Sequence, residues 1–473
     1  MDKNYHSVII GAGMSGLAAG IRLAQYGKRV LILEKHHLVG GLNSFYSRLG
    51  RKFDVGLHAV TNFVRQGIKQ SPLNRLLRQL RLTRELFDLC EQNSSRILVG
   101  GQALCFTNDF SHFEQQVAEQ FPRRIDAFRQ LVTRIRHVES HPLEPFVSAR
   151  KILQEQLQCP RLEDILLLPI LFYGGSREDD IDWTSFSILF CSIFLEGLAR
   201  PFEGVRRILR LLTQRFRELG GERRMRCAVE RIDIREQKVR GLVLQDGSYL
   251  KAEHILSSIG YVETMRLCGR GDQARASAGK LAFCESIAVL KEEPRELGWD
   301  DTIVFFEEQE RFHYRQPPGL VGPSSGLLCL PNNYRYGLDR RLPEGILRIT
   351  QLANADRWKA ILADEGPEAY ARAKREQAHA LFEKAKKILH FLHPSAEAKT
   401  PQLLDLDAFT PYTFERFTGH INGAIYGTPH KVFSGQLPFV EGLQLCGTDQ
   451  GYLGIIGSML SGISIANRHL RQG

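Results

Sequence analysis

Apolar and polar positions follow two different spacings along the chain, and the switches between them mark out the elements. Residues 6–10 (HSVII) form a nearly continuous apolar run, the pattern of a strand buried on both faces of a parallel sheet. Gly11-Ala12-Gly13-Met14-Ser15-Gly16 follows at once, and residues 17–26 (LAAGIRLAQY) take up helical spacing until Gly27. Residues 29–33 (RVLIL) return to the strand pattern and end at Glu34. The chain therefore opens with a predicted strand–helix–strand unit.

Farther along, residues 66–160 read mostly as helices, clearest at 73–89 and 113–137. Two strongly apolar stretches, 165–172 (ILLLPILF) and 186–195 (FSILFCSIFL), flank the polar segment GGSREDDID. Residues 201–219 read as one helix with Arg206, Arg207, Arg210, Arg215 and Arg217 on its wetter sides. A meander is predicted over 224–252, turning at Asp246-Gly247, with a buried strand at 254–258. Strand-like runs and Pro/Gly loops alternate over 280–350, and 368–392 reads as a long charged helix. The last stretch, 442–469, reads strand, glycine-rich turn, helix. No repeat or long linker separates these parts, so the domains are expected to interleave.

Composition narrows the class. With 473 residues, 43% hydrophobic and 25% charged, the chain has the make-up of a multidomain globular protein. Neither apolar stretch reaches the roughly 20 residues of a membrane-spanning helix. The first apolar run passes straight into glycines rather than a signal-peptide core, so a cytoplasmic location is expected, with peripheral membrane association as an addition. The nine cysteines are scattered and none forms a C-x-x-C pair, which reads as free thiols. His137/His141 and His390/His393 have helical spacing but no ligand partners in sequence, so they read as solvated faces and no metal is expected. A formal charge of +10 invites an anionic partner, yet no nucleic-acid motif accompanies it.

The glycine turn carries the chemistry. Gly11 permits a tight turn, Gly13 lets backbone approach a pyrophosphate, and Gly16 lets helix pack on strand, with Met14 and Ser15 opening the helix. The helix N-terminus offers free N–H groups to phosphates, and Glu34 stands where an adenosine ribose would be held, next to Lys35. A second glycine pair, Gly40-Gly41, suits an extended FAD rather than a nicotinamide dinucleotide. Near the C-terminus a strand ends at Gly447, Asp449 is expected to be free for a polyol hydroxyl, and a helix begins around Ile455 and Ile456. That helix N-terminus would direct N–H groups at a flavin carbonyl.

These segments resemble the FAD-dependent amine oxidase superfamily, in particular its branch of phytoene desaturases, carotenoid isomerases and retinol saturases. The match rests on the glycine turn with Glu34, on Gly40-Gly41, on Phe53-Asp54-Val55-Gly56-Leu57-His58, on 201–221 with Val229-Glu230-Arg231-Ile232, on Gly423-Ala424-Ile425-Tyr426-Gly427, and on GTDQGYLGIIGSMLSG. The resemblance implies non-covalent FAD, with backbone at Val229 holding the adenine. It also implies an α/β fold: a Rossmann-type FAD-binding domain (1–65, 201–275 and 420–473), a helical cap or lid (66–200) and a mixed α+β substrate domain (276–419). Many relatives have arginine after the second glycine pair, where this chain has Leu42-Asn43; Ser44 or backbone groups would then compensate.

The chemistry expected is oxidation, saturation or isomerisation at carbon–carbon bonds of a long polyene, isoprenoid or lipid chain. The stretches 165–172 and 186–195 would wall its tunnel or serve as ordinary core helices. His58, Tyr426 and Tyr452 are weak candidate catalytic residues, each also readable as packing, and no motif names a catalytic residue. Two alternatives stand beside this: a flavin amine oxidase, and a flavin-free prenyl-binding protein like the GDP-dissociation inhibitors. Arg75, Arg78, Arg81 and Arg84 recur every three residues among leucines, a slanting basic stripe. It reads either as the solvated face of a helix whose leucines meet the core or as a contact surface for an anionic membrane or an acidic carrier protein.

Overall fold

The structure, a computed structural model, describes residues 5–65, 67–68, 70–138, 146–396 and 400–472. Two large sheets organise it. The first is five-stranded and parallel throughout, in the order Leu443–Leu445, Ile255–Ser257, Ser7–Ile10, Val30–Leu33, Glu222–Arg224. Side chains alternate across it as strand geometry requires. Ile9, Ile32 and Leu256 point into a helical layer made by Met14–Ala24, Val205–Glu218 and Gly454–Gln472. Val8, Ile10, Leu31, Leu33 and Ile255 point the other way, onto the three-stranded meander Val229–Arg235, Lys238–Leu244, Tyr249–Lys251. Buried on both faces, these strands need the unbroken apolar runs seen in the sequence.

The second sheet has seven strands, in the order Leu403–Phe409, Ala282–Leu290, Gly345–Ala353, Val321–Cys329, Ile303–Glu307, Ser95–Val99, Gln102–Phe106. Only Ile303–Glu307 with Ser95–Val99 pairs parallel. One face packs on the aromatic-rich helical core that contains the helices Pro160–Gly174 and Trp183–Phe190. The other face packs on the 27-residue helix Gly366–Leu392.

Several expectations are corrected. Residues 95–106 are a hairpin rather than helix: Gly100 and Gly101 take φ of 53° and 82°, the conformation a tight hairpin turn demands. The helix expected over 113–137 is two, Phe110–Gln120 and Ile125–Arg136, because Pro122 cannot continue the first. The helix expected from 73 to 89 stops at Leu80, where Arg81 turns left-handed. The helix expected from 201 begins only at Val205, after a strand Ala199–Pro201. Gly204 there has φ 66°, and Asp54 accepts a hydrogen bond from Val205 N at 3.2 Å. His390 and His393 are not a solvated face: His393 pairs with buried Asp301 at 2.8 Å, and His390 packs near Trp299. His141 lies outside the described residues. The nine cysteines form no disulfide.

Candidate active site

A cavity of about 900 Å³ runs along the carboxyl ends of the parallel strands, where ligands of such sheets bind. The glycine turn forms its floor, and each glycine does separate work. Gly11 has φ 97°, and a Cβ there would meet Ser258 Oγ at 2.6 Å. A Cβ on Gly16 would lie 2.2 Å from Gly11 O, so this glycine sets the distance between helix and strand. A Cβ on Gly13 would touch nothing within 4 Å; it would project into the cavity. The second glycine pair lies alongside, with Gly40 N donating to Ala12 O at 2.9 Å and Gly41 facing Gly13. An elongated dinucleotide fits this arrangement: free backbone beside a long void, at the N-terminus of an 11-residue helix that has no side-chain cap.

Most of the residues expected to hold the cofactor line this cavity: Gly11, Gly13, Met14, Ser15, Glu34, Lys35, Gly40, Gly41, Leu42, Val229, Gly447 and Asp449. Glu34 is held at the rim, accepting from Ala12 N at 2.8 Å and His36 N at 2.9 Å. Each carboxylate oxygen keeps acceptor capacity beyond these bonds. Burial lowers the Lys35 pKa, against the opposing pull of Glu34 and Glu263. Asp449 is not free, as expected from sequence, but tied down: it accepts from Tyr261 N at 2.7 Å and Thr428 N at 2.9 Å, and meets Lys431 Nζ at 3.3 Å. Nor does Ser44 stand in for the missing arginine, since its hydroxyl donates to Val39 O at 2.8 Å. Gly16 is spent on packing, and Ile455 and Ile456 are buried in the helical layer. Their side chains therefore take no part in lining the cavity.

His58 and Tyr426 lie away from the cavity lining, in and beside a buried polar cluster between the 54–58 segment, strand Ala199–Pro201 and the seven-stranded sheet. Nε2 of His58 is 3.1 Å from Thr350 Oγ1 and 3.4 Å from Glu285 Oε1. Glu285 is also bound by Arg348, whose other nitrogens donate to Leu57 O at 2.7 Å and Val55 O at 2.8 Å. Beside it, Arg200 binds Asp54 and donates to Leu57 O at 2.8 Å. Tyr334 OH donates to His58 O at 2.9 Å. Burial pushes the Glu285 carboxyl up, but Arg348 and His58 outweigh it and hold the group below its ordinary value. Burial also depresses the His58 imidazole despite Glu285. Tyr426 OH donates to Phe172 O at 2.5 Å, while Tyr173 has a buried hydroxyl with no partner among the described residues. Tyr452 lies at the start of the C-terminal turn and contacts neither cavity lining nor cluster in a polar way. Asp54, Arg200, Glu285, Arg348 and Tyr173 carried no signal in the sequence beyond Asp54's place in the 53–58 motif.

The stretch 165–172 is fully buried core, while 186–195 is core apart from exposed Ile188 and half-buried Cys191 and Leu195. A Cβ on Gly174, just beyond the first stretch, would meet Leu453 of the C-terminal turn and Leu189. Of the basic stripe, Arg75, Arg78 and Arg81 are exposed above Leu73, Leu76, Leu77 and Leu80, which are buried. Arg84 is not part of it; its guanidinium lies 4.6 Å over the Phe63 ring. Among the described residues no metal cluster exists, and no helix is long and apolar enough to cross a membrane.

Together the parallel sheet, glycine turn and elongated cavity define a dinucleotide-binding flavoprotein fold. The family of flavin containing amine oxidoreductases matches residues 14–468, and the chain belongs to it. It is therefore a flavin oxidoreductase, with FAD as cofactor. It is similar to the lycopene-forming phytoene desaturase of Pseudescherichia vulneris, 24% identical over 317 residues, covering 60% of this chain and 62% of that one. It is also similar to the chloroplastic prolycopene isomerase of Arabidopsis thaliana, 22% identical over 520 residues, covering 99% of this chain and 83% of that one. The chain thus spans about three-fifths of the bacterial relative. An oxidoreductase structure from Methanosarcina mazei shares the fold with a TM-score of 0.65 at 15% identity, covering 98% of this chain and 99% of the other.

Proposed function

We propose that the protein acts on carbon–carbon bonds of a long apolar polyene, isoprenoid or lipid chain, as a desaturase, saturase or isomerase. The observation that carries this is the packing of the core that contains the two apolar helices against Leu453, which lies in sequence between the cavity-lining residues Asp449 and Ser458. The similarity to a phytoene desaturase and a prolycopene isomerase supports the same reading. FAD, when bound, supplies hydride exchange with the substrate carbon.

The chain's own residues supply binding and placement. The segments 1–65, 201–275 and 420–473 form the FAD-binding domain, 66–200 the cap and 276–419 the substrate domain. The backbone of Gly11, Gly13, Met14 and Ser15 cradles the pyrophosphate with Gly40, Gly41 and Leu42. Glu34 and Lys35 hold the ribose end, and Val229 borders the adenine. Asp449, oriented by Lys431, Tyr261 and Thr428, presents its remaining lone pairs to the polyol, while Gly447, Ile455 and Ile456 contribute backbone. No covalent link is formed. His58 is held by Glu285 and Thr350, and burial depresses its imidazole. It and Tyr173 are the groups placed to orient or protonate a reacting chain, with Tyr426 packing beside them. Exposed Arg75, Arg78 and Arg81 form a docking face for an anionic membrane surface or acidic carrier.

The test is anaerobic mixing of oxidised and of reduced enzyme with candidate polyenes, following the flavin spectrum and separating the polyene products. A change in either the flavin or the double-bond pattern is expected. An enzyme inert toward every polyene but reduced by a simple primary amine is an amine oxidase, the reading that the family's description favours. The flavin-free prenyl-binding reading is set aside by membership of a flavin-containing family.

A further inference from the structure

A second cleft, of about 370 Å³, lies across the Lys431–Asp449 pair from the cofactor cavity. That is within the about 300–1,000 Å³ typical of small-molecule sites. It is formed by the loop between the two apolar helices, by 429–433 and by the start of the C-terminal turn. The polar loop GGSREDDID, which the cofactor site does not use, supplies its charged wall.

The charges in that loop are unevenly committed. Glu178 accepts from Gln316 N at 3.0 Å. Asp179 accepts from Tyr314 N at 2.7 Å and pairs with Arg315. Asp180 accepts from Arg150 N at 2.9 Å and Ile181 N at 2.8 Å. Asp182 accepts from Thr184 N at 2.9 Å and Ser185 N at 3.3 Å, capping the second apolar helix. Every acid is thus hydrogen-bonded, and of these Asp179 alone has an ion pair among the described residues. Arg177, in the middle of the run, has no carboxylate partner among the described residues. Its guanidinium lies 4.4 Å over the Phe146 ring, half-buried at the cleft. Opposite it, Lys431 Nζ is held by Tyr426 O at 2.5 Å and by Asp449, so its charge is already balanced. The rest of the lining is mixed: His430, Ser176 and Ser185 are polar, while Phe433 and Leu453 form an apolar side, with Leu453 close to Gly174 of the first apolar helix.

Among the described residues the cleft therefore offers one cation without an ion pair, stacked on Phe146 and sharing the cleft with Asp180 and Asp182, beside apolar side chains at the C-terminal turn. A planar guanidinium of this kind matches a carboxylate, which it binds through two parallel hydrogen bonds. A doubly charged phosphate would bring a second negative charge beside Asp180 and Asp182. A neutral hydrocarbon end would strip water from Arg177 and return nothing. Resting on the long-chain reading above, we propose that the cleft takes the carboxylate head of a long-chain acid. Arg177 grips the head, and the chain lies along Phe433 and Leu453. The substrate is then an amphipathic acid rather than a plain hydrocarbon.

The experiment is calorimetric titration of the FAD-loaded enzyme with oleate, methyl oleate and a hydrocarbon polyene, each below its aggregation limit. Oleate should bind about tenfold or more tightly than its ester, the size of effect expected for one charge-assisted pair. Arg177→Gln should remove that preference while leaving ester binding unchanged, and Arg177→Lys should restore part of it. Retention of the preference in Arg177→Gln would overturn the assignment of Arg177. Equal binding of acid, ester and polyene would overturn the headgroup proposal and leave the long-chain reading standing. Binding of none of the three would overturn both.

Discussion

The cofactor cavity and the polar cluster under His58 are built on opposite plans. In the cavity, glycine makes room, backbone amides face a void, and charged side chains stand at the rim. In the cluster the charges are sealed: Asp54 with Arg200 and Glu285 with Arg348 are almost fully buried and turned onto backbone carbonyls of 55–58. The first region is a vessel that leaves backbone donors open to a ligand. The second fixes the 54–58 segment and the strand Ala199–Pro201 against the seven-stranded sheet, a use in specifying structure that suits buried ion pairs.

The largest effect that separates the two should come from the cluster. Arg348→Met leaves Glu285 buried without its guanidinium and frees two carbonyls, and should cost about 3–5 kcal/mol in chemical denaturation. The double variant Arg348→Met/Glu285→Leu should recover much of that loss. A single variant as stable as the parent would mean the cluster carries no structural load.

Next in size is Gly16→Ala, whose Cβ would lie 2.2 Å from a backbone oxygen. It should destabilise the flavin-free protein by about 1–3 kcal/mol, the usual range for forced overpacking. Unchanged stability would mean the turn yields easily and the three-glycine division of labour is wrong.

A pH effect of intermediate size belongs to neither region and so calibrates both. His6 and His254 stack at the far end of the parallel sheet, and His469 meets both edge-on, with centroids 4.6–5.7 Å apart. Burial, then the neighbouring imidazoles and Lys28, push His469 down to about 4. An imidazole harder to protonate folded than unfolded contributes nothing above pH 6.5, and costs stability as pH falls from 6.5 toward about 4. The denaturation midpoint should decline across that window, and His469→Asn should flatten the decline. An equal slope in the variant would locate the sensitive group elsewhere.

The smallest effect on the fold should come from Arg78→Glu/Arg81→Glu, both exposed, with stability unchanged within about 0.5 kcal/mol. Flotation with anionic liposomes should be lost in this variant, and in the parent at high salt. Equal flotation with neutral and anionic vesicles would remove the docking face.

The contrast also explains what could be read from sequence. The cavity was legible because its parts are local: Gly11, Gly13, Gly16 and Glu34 lie within one strand–helix–strand unit, and spacing alone assigns them. Gly40-Gly41 and the 447–457 turn added themselves by glycine content. The cluster was not legible, because Asp54, Arg200, Glu285 and Arg348 meet only after two sheets and a cap assemble. Each is an ordinary charged residue in its own segment. The same distance effect hid the binding of Asp449 by Lys431, Tyr261 and Thr428. It also hid the hairpin at 95–106, which joins a sheet whose other strands come 200 residues later. Where local rules compete with tertiary partners, as at Gly204 and Arg81, helix ends shifted by several residues.

The most direct measurement of the central claim is titration of flavin-free protein with FAD, comparing the parent with Gly13→Val. The valine side chain projects into open cavity, so the flavin-free variant should remain folded with the parent's circular dichroism. The parent should take up one FAD per chain and release it on acid precipitation, while the variant should bind at least about tenfold more weakly, a loss of about 1.4 kcal/mol. Undiminished uptake by a folded Gly13→Val protein, or flavin left on the precipitate, would contradict the account.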